Sequence, residues 1–469
     1  MLEIVLKGHE SYYALADVVR LFFPSPAEDR ENGKVFCAGA PDFLIESELL
    51  PSGRSVCRVN GKEYYFAGPA EEASREVKRS LYMALTDLTG IRPPWGCLTG
   101  IRPTLVALQT DSAEDLSERY LVRPDKAALA LKTGREEVRI LEKISPQDIN
   151  IYIGIPFCPS RCEYCSFVSS DISFHMGRLK DYKEHLIKEI RLLSPGIKRR
   201  ISSLYVGGGT PTVFDDDDFR DLIDAVYDNL AIDKDCEVTV EAGRPDTITE
   251  NKLKAMASHG IKRICINPQT MNDETLARLN RRHTSADTVR AIEEARQTGF
   301  NVINADMIAG LKYETAKDFI DTAEKMIALG LENITVHTLY KKRRAAMSLA
   351  DVMTDDPAGE VDKAVSAVYG MLEDAGYRPY YMYKQKDTGH GLENTGFEKG
   401  GTACLYNVAM MTDARDVLSF GAGGMSKRVF EQVDTAKYRV ERCSSSKDVL
   451  DYMMRTEEIA RKKADFFGL

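Results

Sequence analysis

Six short runs of apolar, largely β-branched residues mark the middle of the chain, at 151–155, 203–206, 237–240, 262–266, 302–306 and 333–336. Between most of them the apolar positions change to a helical spacing, as over 179–193, 218–229 and 286–298. Strands alternating with helices predict parallel strands joined by right-handed crossovers. Six such units predict an α/β fold, a partial (β/α)6 TIM-like barrel. Upstream, strand-like runs at 3–6 and 64–66 and a helical period over 71–88 predict an α+β domain. A helical stretch at 136–143 stops at Pro146, which places a boundary there. Downstream, a helix over 357–375 and an aromatic strand at 379–383, PYYMY, lead into a further segment. The predicted organisation is an N-terminal α+β domain at 1–145, the barrel at 146–375 and a C-terminal α+β extension at 376–469 covering the active site.

In β/α barrels the reactive groups sit on loops that follow the carboxyl ends of the strands. Every distinctive polar motif in this chain falls at such an end. The first strand runs into Cys158, Cys162 and Cys165, spaced C-x-x-x-C-x-x-C, and Gly207-Gly208-Gly209-Thr210-Pro211 follows the second. Glu241 and Arg244 close the third, Asn267 and Gln269 follow the fourth, Asp306 ends the fifth and His337 the sixth.

Three thiolates within eight residues are soft ligands able to hold three corners of a four-iron, four-sulfur cube. The fourth iron is then left open to bind and reduce a ligand. A zinc loop is the alternative, but it needs a second ligand pair, and the cysteines at 37, 57, 97, 236, 265, 404 and 443 form no C-x-x-C. The glycine run allows backbone groups close approach to a ligand, or forms a plain strand-to-helix turn. Glu241 is an acceptor for a ribose or an amine, or the partner of Arg244 in an ordinary salt bridge.

Composition narrows the picture further. Lys plus Arg is 63 against 72 for Asp plus Glu, a net charge of −9 that disfavours nucleic acid as a partner. The N-terminus has no basic stretch leading into an apolar one, and no segment reaches eighteen uninterrupted apolar residues. A cytoplasmic protein with no membrane span and reduced thiols is expected. Against the acidic background stands Tyr340-Lys341-Lys342-Arg343-Arg344. Arg343 and Arg344 suit a carboxylate-rich substrate, the alternative being a solvated loop. The hexapeptide LTGIRP occurs at 88–93 and again at 98–103, around the single tryptophan, Trp95. It reads as two Gly/Pro turns, or as a carboxylate clamp made by Arg92 and Arg102.

With Tyr164 before the last cysteine, the string IYIGIPFCPSRCEYCSF resembles radical S-adenosylmethionine enzymes. More narrowly it is similar to the branch of oxygen-independent coproporphyrinogen III dehydrogenases and related haem chaperones, and within that to the HemZ-like subgroup. The resemblance implies the radical-enzyme form of the barrel, with the cluster on Cys158, Cys162 and Cys165. It implies one S-adenosylmethionine at Tyr152, Gly208, Glu241 and, more loosely, Met425. A second S-adenosylmethionine beside the first would touch Tyr164, Gly209, Thr210, Gln269, Arg281 and Asp306. The activity implied is oxidative decarboxylation of coproporphyrinogen III to protoporphyrinogen IX, with a small electron-transfer protein as reductant and a tetrapyrrole as substrate. The alternatives are a haem-binding chaperone on the same fold and a radical enzyme acting on another tetrapyrrole.

Three positions depart from that pattern. Gly154 stands where the best-characterised branch has a histidine, Ser166 or Phe167 where it has a fourth cysteine, and 310–315 (GLKYET) where it has a GLPGET-like loop. Cys404 lies near where the haem chaperones carry a histidine, and reads either as a haem ligand or as a small buried hydrophobe.

Overall fold

A computed structural model describes residues 1–165, 170–171, 176–339, 359–385, 391–434 and 437–469. Six parallel strands follow one another in chain order and pair side by side: Ile149–Ile155, Ile201–Gly208, Glu237–Gly243, Arg263–Ile266, Val302–Ala309 and Asn333–Thr338. Most run past the apolar stretches, because buried polar residues and glycines continue the ladder. Asn150 and Ser203 are fully buried. Asn150 donates from Nδ2 to the Asp416 carbonyl (2.9 Å) and accepts from the Ser203 hydroxyl (2.7 Å), so neither disrupts the sheet.

Helices Leu179–Leu193, Asp216–Asn229, Glu250–Ser258, Ser285–Thr298 and Ala316–Ala328 return the chain between strands. Their starts are fixed locally. Asp215 and Thr249 cap the second and third of these helices, and Thr284 and Thr315 form capping boxes with Asp287 and Asp318 on the last two. Their apolar stripes, such as Tyr182, Leu186 and Ile190, close over a core filled by the strands.

The C-terminal chain extends both edges of this barrel, a feature that local pattern does not carry. Glu393–Glu398 lies antiparallel to the sixth strand, followed outward by Arg378–Lys384. Asp416–Phe420 lies parallel to the first strand on its other side, and Met425–Asp434 and Lys437–Ser444 follow it outward. The result is an eleven-stranded open sheet in which the barrel strands have no bare edge. Helix Thr456–Phe467 then packs on Leu179–Leu193, where Lys463 and Glu189 form a fully buried pair at 2.6 Å.

The N-terminal chain forms a six-stranded sheet with its own core, including Leu2, Ile4, Leu15, Val18, Leu81 and Leu85, against helices Tyr12–Val19 and Ala73–Thr89. Only its first and last strands show in the sequence pattern. The others are short or carry charges, as in AED and KVFC. From Trp95 onward, buried residues such as Ala107, Leu116, Ala127 and Ala130 join the barrel core instead. Trp95 Nε1 and Lys126 Nζ both donate to the buried Glu393 carboxylate, each at 2.7 Å. The first LTGIRP repeat ends helix Ala73–Thr89 at a left-handed Gly90 and the second leads into helix Pro103–Ala107, with the turn lying between them at 94–97; Arg102 pairs with Asp413, the Ile101 carbonyl accepts from Lys384 N–H (2.8 Å), and Arg92 is exposed. Among the described residues no helix is long and apolar enough to cross a membrane.

Candidate cofactor and substrate site

A cavity of about 300 Å³ opens at the carboxyl ends of the barrel strands. Cys158, Cys162 and Cys165 line one side of it, all half-buried and all free of disulfides. Their loop is set by neighbouring elements. Phe157 is buried edge-on against Tyr182 at 5.0 Å, Cys165 N–H donates back to the Cys162 carbonyl (3.1 Å), and Ser160 donates to the Asn280 carbonyl (2.9 Å). Donors from outside the loop reach the sulfurs. The Thr210 hydroxyl is 3.6 Å from Cys158 Sγ, and Arg281 Nη1 is 3.8 Å from Cys162 Sγ and 2.8 Å from the Tyr164 hydroxyl. Arg281 Nη2 donates to the Asn267 carbonyl (2.6 Å), so its guanidinium is locked in place.

The glycine run is held against this loop by backbone bonds. Gly209 N–H donates to the Ile155 carbonyl and Thr210 N–H to the Phe157 carbonyl, both at 2.7 Å. A Cβ at 209 would overlap the Phe157 carbonyl, and one at 207 would sit 2.9 Å from the Glu241 carboxylate. Glycine is therefore needed for the approach of backbone to backbone, beyond making a turn.

Glu241 accepts from the Tyr205 hydroxyl at 2.5 Å and from Gly208 N–H at 3.2 Å. Burial pushes its carboxyl up to about 7, with the nearby Asp306 charge adding to the effect and the two hydrogen bonds opposing it. It makes no pair with Arg244, whose guanidinium donates instead to Asp246 (3.0 Å) and the Ser160 hydroxyl (2.7 Å), so the salt-bridge reading of Glu241 is corrected. Gln269 holds a left-handed backbone, φ 72°, fixed by its N–H to the Asp306 carbonyl (2.9 Å) and its carbonyl to Ile308 N–H (3.0 Å). Asp306 accepts from Asn304 Nδ2 (2.8 Å) and lies 3.7 Å from His337 Nε2. Burial would raise its carboxyl, but His337 and Asn304 outweigh that and hold it below the usual range.

Of the residues singled out in the sequence, Cys158, Cys162, Cys165, Tyr164, Gly208, Gly209, Thr210, Glu241, Gln269, Arg281 and Asp306 share this one cavity. Tyr152 and Met425 do not line it. Tyr152 stands beside Tyr205 in strand register and its ring packs into a stack with Tyr205 and Tyr406 behind the wall. Met425 begins a strand of the same sheet, two strands out from the first barrel strand. Arg343, Arg344, Ser166 and Phe167 lie outside the described residues. Cys404 is buried near Thr239 and away from the cavity, with burial pushing its thiol up to about 12, which favours the small-hydrophobe reading. Gly154 has an unforeseen steric reason: a Cβ there would sit 3.1 Å from the Tyr152 ring and 3.3 Å from the Phe420 carbonyl.

Sequence reasoning missed Tyr205, Tyr383 and Asn394, which also line the cavity. Tyr383 stood in the aromatic strand already noted. Asn394 carried no signal, because it reaches the site only through the antiparallel edge strand.

The thiol set fits an iron–sulfur cluster. Hydrogen-bond donors, one of them cationic, are aimed at two of the three sulfurs, as charged thiolates require. Among the described residues no three His, Cys, Asp or Glu side chains gather closely enough to hold a single metal ion. Sulfurs on separate points of a loop suit the corners of a cube.

Fold and site together define a radical S-adenosylmethionine protein. Residues 152–326 match the model of the Radical SAM superfamily, whose members use a four-iron, four-sulfur cluster and S-adenosylmethionine. The oxygen-independent coproporphyrinogen-III oxidase-like protein HemZ of Bacillus subtilis (strain 168) is 33% identical over 416 residues, covering 84% of this chain and 82% of that protein. The heme chaperone HemW of Haemophilus influenzae is 26% identical over 305 residues, covering 64% and 74%. The crystal structure of the Escherichia coli coproporphyrinogen III oxidase HemN, a radical SAM enzyme, superposes with a TM-score of 0.53 at 19% identity, over 69% of this chain and 72% of that one. The chain belongs to the HemZ family of oxygen-independent coproporphyrinogen-III oxidase-like radical SAM proteins.

Proposed function

We propose that this protein carries out the oxygen-independent oxidative decarboxylation of coproporphyrinogen III to protoporphyrinogen IX. The observation that carries the reading is the convergence of the three cysteines, the glycine loop, Glu241 and Arg281 on one cavity at the carboxyl end of the barrel. When bound, the reduced cluster supplies one electron for cleavage of S-adenosylmethionine and so creates the oxidant that removes a hydrogen atom from a propionate side chain. Loss of carbon dioxide and of one electron to an external acceptor leaves a vinyl group. The reductant is a small electron-transfer protein.

The chain's own residues have separate tasks in this scheme. Cys158, Cys162 and Cys165 hold the cluster, and Arg281 and Thr210 stabilise the thiolates. Gly208 orients the amino group of S-adenosylmethionine through the backbone, and Glu241 receives its cationic part. Gln269, Asp306 and Tyr164 extend the same wall toward a second S-adenosylmethionine. The aromatic and apolar lining, including Tyr205, Ile308, Leu339 and Met411, keeps water from the reacting atoms.

A haem chaperone on the same fold is the second reading. Its support is Gly154, which lacks the proton donor of the oxidase branch and where a Cβ would crowd the Tyr152 ring and the Phe420 carbonyl. The test is anaerobic incubation of cluster-loaded protein with S-adenosylmethionine, a reductant and coproporphyrinogen III. The doubly decarboxylated porphyrin is the expected product. Unchanged porphyrin, together with stoichiometric haem uptake and a shifted Soret band, would replace the enzyme reading with the chaperone.

A further inference from the structure

One wall of the cavity is built from the sixth barrel strand and its antiparallel partners, and the scheme above gives no task to its His337, Tyr383 and Asn394. His337, from the end of the sixth strand, is held there in one orientation. Asn394 Oδ1 accepts from Thr338 N–H at 3.0 Å, which fixes the amide with its oxygen toward the histidine. His337 Nδ1 lies 3.3 Å from that oxygen, so it carries a hydrogen, and the Tyr383 hydroxyl lies 3.4 Å from the same nitrogen. On the other side of the ring, Nε2 stops 3.7 Å short of the Asp306 carboxylate, beyond hydrogen-bond distance. The side chain is 26% exposed, and that exposure is to the cavity it lines.

The charge balance around the ring favours the imidazolium. Burial alone would lower the histidine's pKa, but Asp306 on the fifth strand, Asn394 and Glu241 on the third strand overcome it and hold it above the ordinary value. The titratable groups facing His337 are thus Asp306, Glu241 and Tyr383. Elsewhere in the cavity Arg244 donates to Asp246 and Ser160, and Arg281 donates through Nη1 and Nη2 to Tyr164 and Asn267, its Nε alone staying buried without a partner. A second unmet donor lies on the same wall: Asn394 Nδ2 is buried and has no partner. Two donors on one wall, His337 Nε2 no closer than 3.7 Å to its counter-charge and Asn394 Nδ2 with no partner, suit an anion with two oxygens.

We propose that His337, with Tyr383 and Asn394, forms a carboxylate subsite that grips a propionate of the tetrapyrrole. This rests on the tetrapyrrole reading of the same cavity. Asp306 is the standing counter-charge that keeps the imidazole protonated: Asn304 occupies its Oδ1, and its Oδ2 faces His337 Nε2 at 3.7 Å.

The test measures equilibrium binding of coproporphyrin III, a tetracarboxylate, and of its tetracarboxamide to cluster-loaded protein. Wild type should bind the acid more tightly than the amide. His337→Gln should weaken the acid about tenfold or more, the value of a charge-assisted hydrogen bond, while changing the amide less than about twofold. His337→Lys, which restores a cation, should recover part of the loss. In wild type the preference for the acid should fade as pH rises through the histidine's raised pKa. Equal binding of acid and amide by wild type, or equal weakening of both by His337→Gln, would overturn the subsite while leaving the tetrapyrrole reading intact. Binding of neither porphyrin would overturn both.

Discussion

Replacing Glu241 by glutamine isolates the electrostatics of the site. The carboxyl is buried among Tyr205, Gly208 and Asp306, and its pKa rises from 4.5 to about 7. A raised carboxyl favours folding at low pH relative to high pH. Its contribution is fully present below about pH 4.5 and is lost as pH rises through about 7. Across that window cofactor-free wild type should lose about 3 kcal/mol that the glutamine variant does not, because each pKa unit is worth about 1.4 kcal/mol. Glutamine still accepts from the Tyr205 hydroxyl, so the comparison removes the charge and the 3.2 Å bond from Gly208 N–H, which an amide NH2 cannot accept. Thermal melting of cofactor-free protein from pH 5 to pH 8 should show wild type falling more steeply than Glu241→Gln, both sharing the fall that the raised Glu137 and Glu314 carboxyls impose, with the variant the more stable at pH 8. A cationic ligand reverses the preference. S-adenosylmethionine should ionise Glu241 on binding and release a proton near pH 6.5, read by calorimetry in buffers of different ionisation enthalpy, and the variant should bind more weakly and release none. Parallel melting curves for the two proteins would refute the assignment of Glu241 as a buried carboxyl poised for a cation.

Gly209→Ala forces a methyl group onto the Phe157 carbonyl and should cost about 1–3 kcal/mol, seen as a lower melting temperature together with poor cluster loading. Glu393→Gln removes the charged partner of Lys126 at 2.7 Å and leaves Asp362 at 3.8 Å, so it should destabilise the protein by about 1–3 kcal/mol, with no effect on cluster content in the molecules that stay folded. Arg281→Ala removes the cation beside Cys162 and the lock on Tyr164. Cluster assembled in that variant should bleed iron faster in a chelator challenge than wild type.

The sequence revealed the barrel because its strands are buried on both faces and so read as unbroken apolar runs, while the glycines and polar residues at their ends mark one rim. Glu241, Gln269 and Asp306 fall on that rim by strand order alone, whereas Arg281 is implied only by the resemblance. The edge strands were a different matter. Asp416–Phe420 joins the sheet beside Ile149–Ile155, more than 260 residues away in sequence, and pairing at that distance leaves no local signature. Tyr152 shows the opposite difficulty: it sits six residues before Cys158, but strand alternation turns its ring into the stack with Tyr205 and Tyr406. His337 was legible as the end of a strand, and its meaning came only from Asn394 and Tyr383, which the antiparallel edge carries to it.

The most direct test of the radical-enzyme assignment is reductive cleavage of S-adenosylmethionine under strictly anaerobic conditions, comparing reconstituted wild type with Cys158→Ala, Cys162→Ala and Cys165→Ala and assaying iron, sulfide and 5′-deoxyadenosine together. Wild type should carry four irons and four sulfides per chain at the cluster, as the superfamily does, and should form 5′-deoxyadenosine, while each variant should lose cleavage although it folds, because the three thiols sit on a half-exposed loop outside the core. An intact cluster with undiminished cleavage in Cys162→Ala would contradict the account.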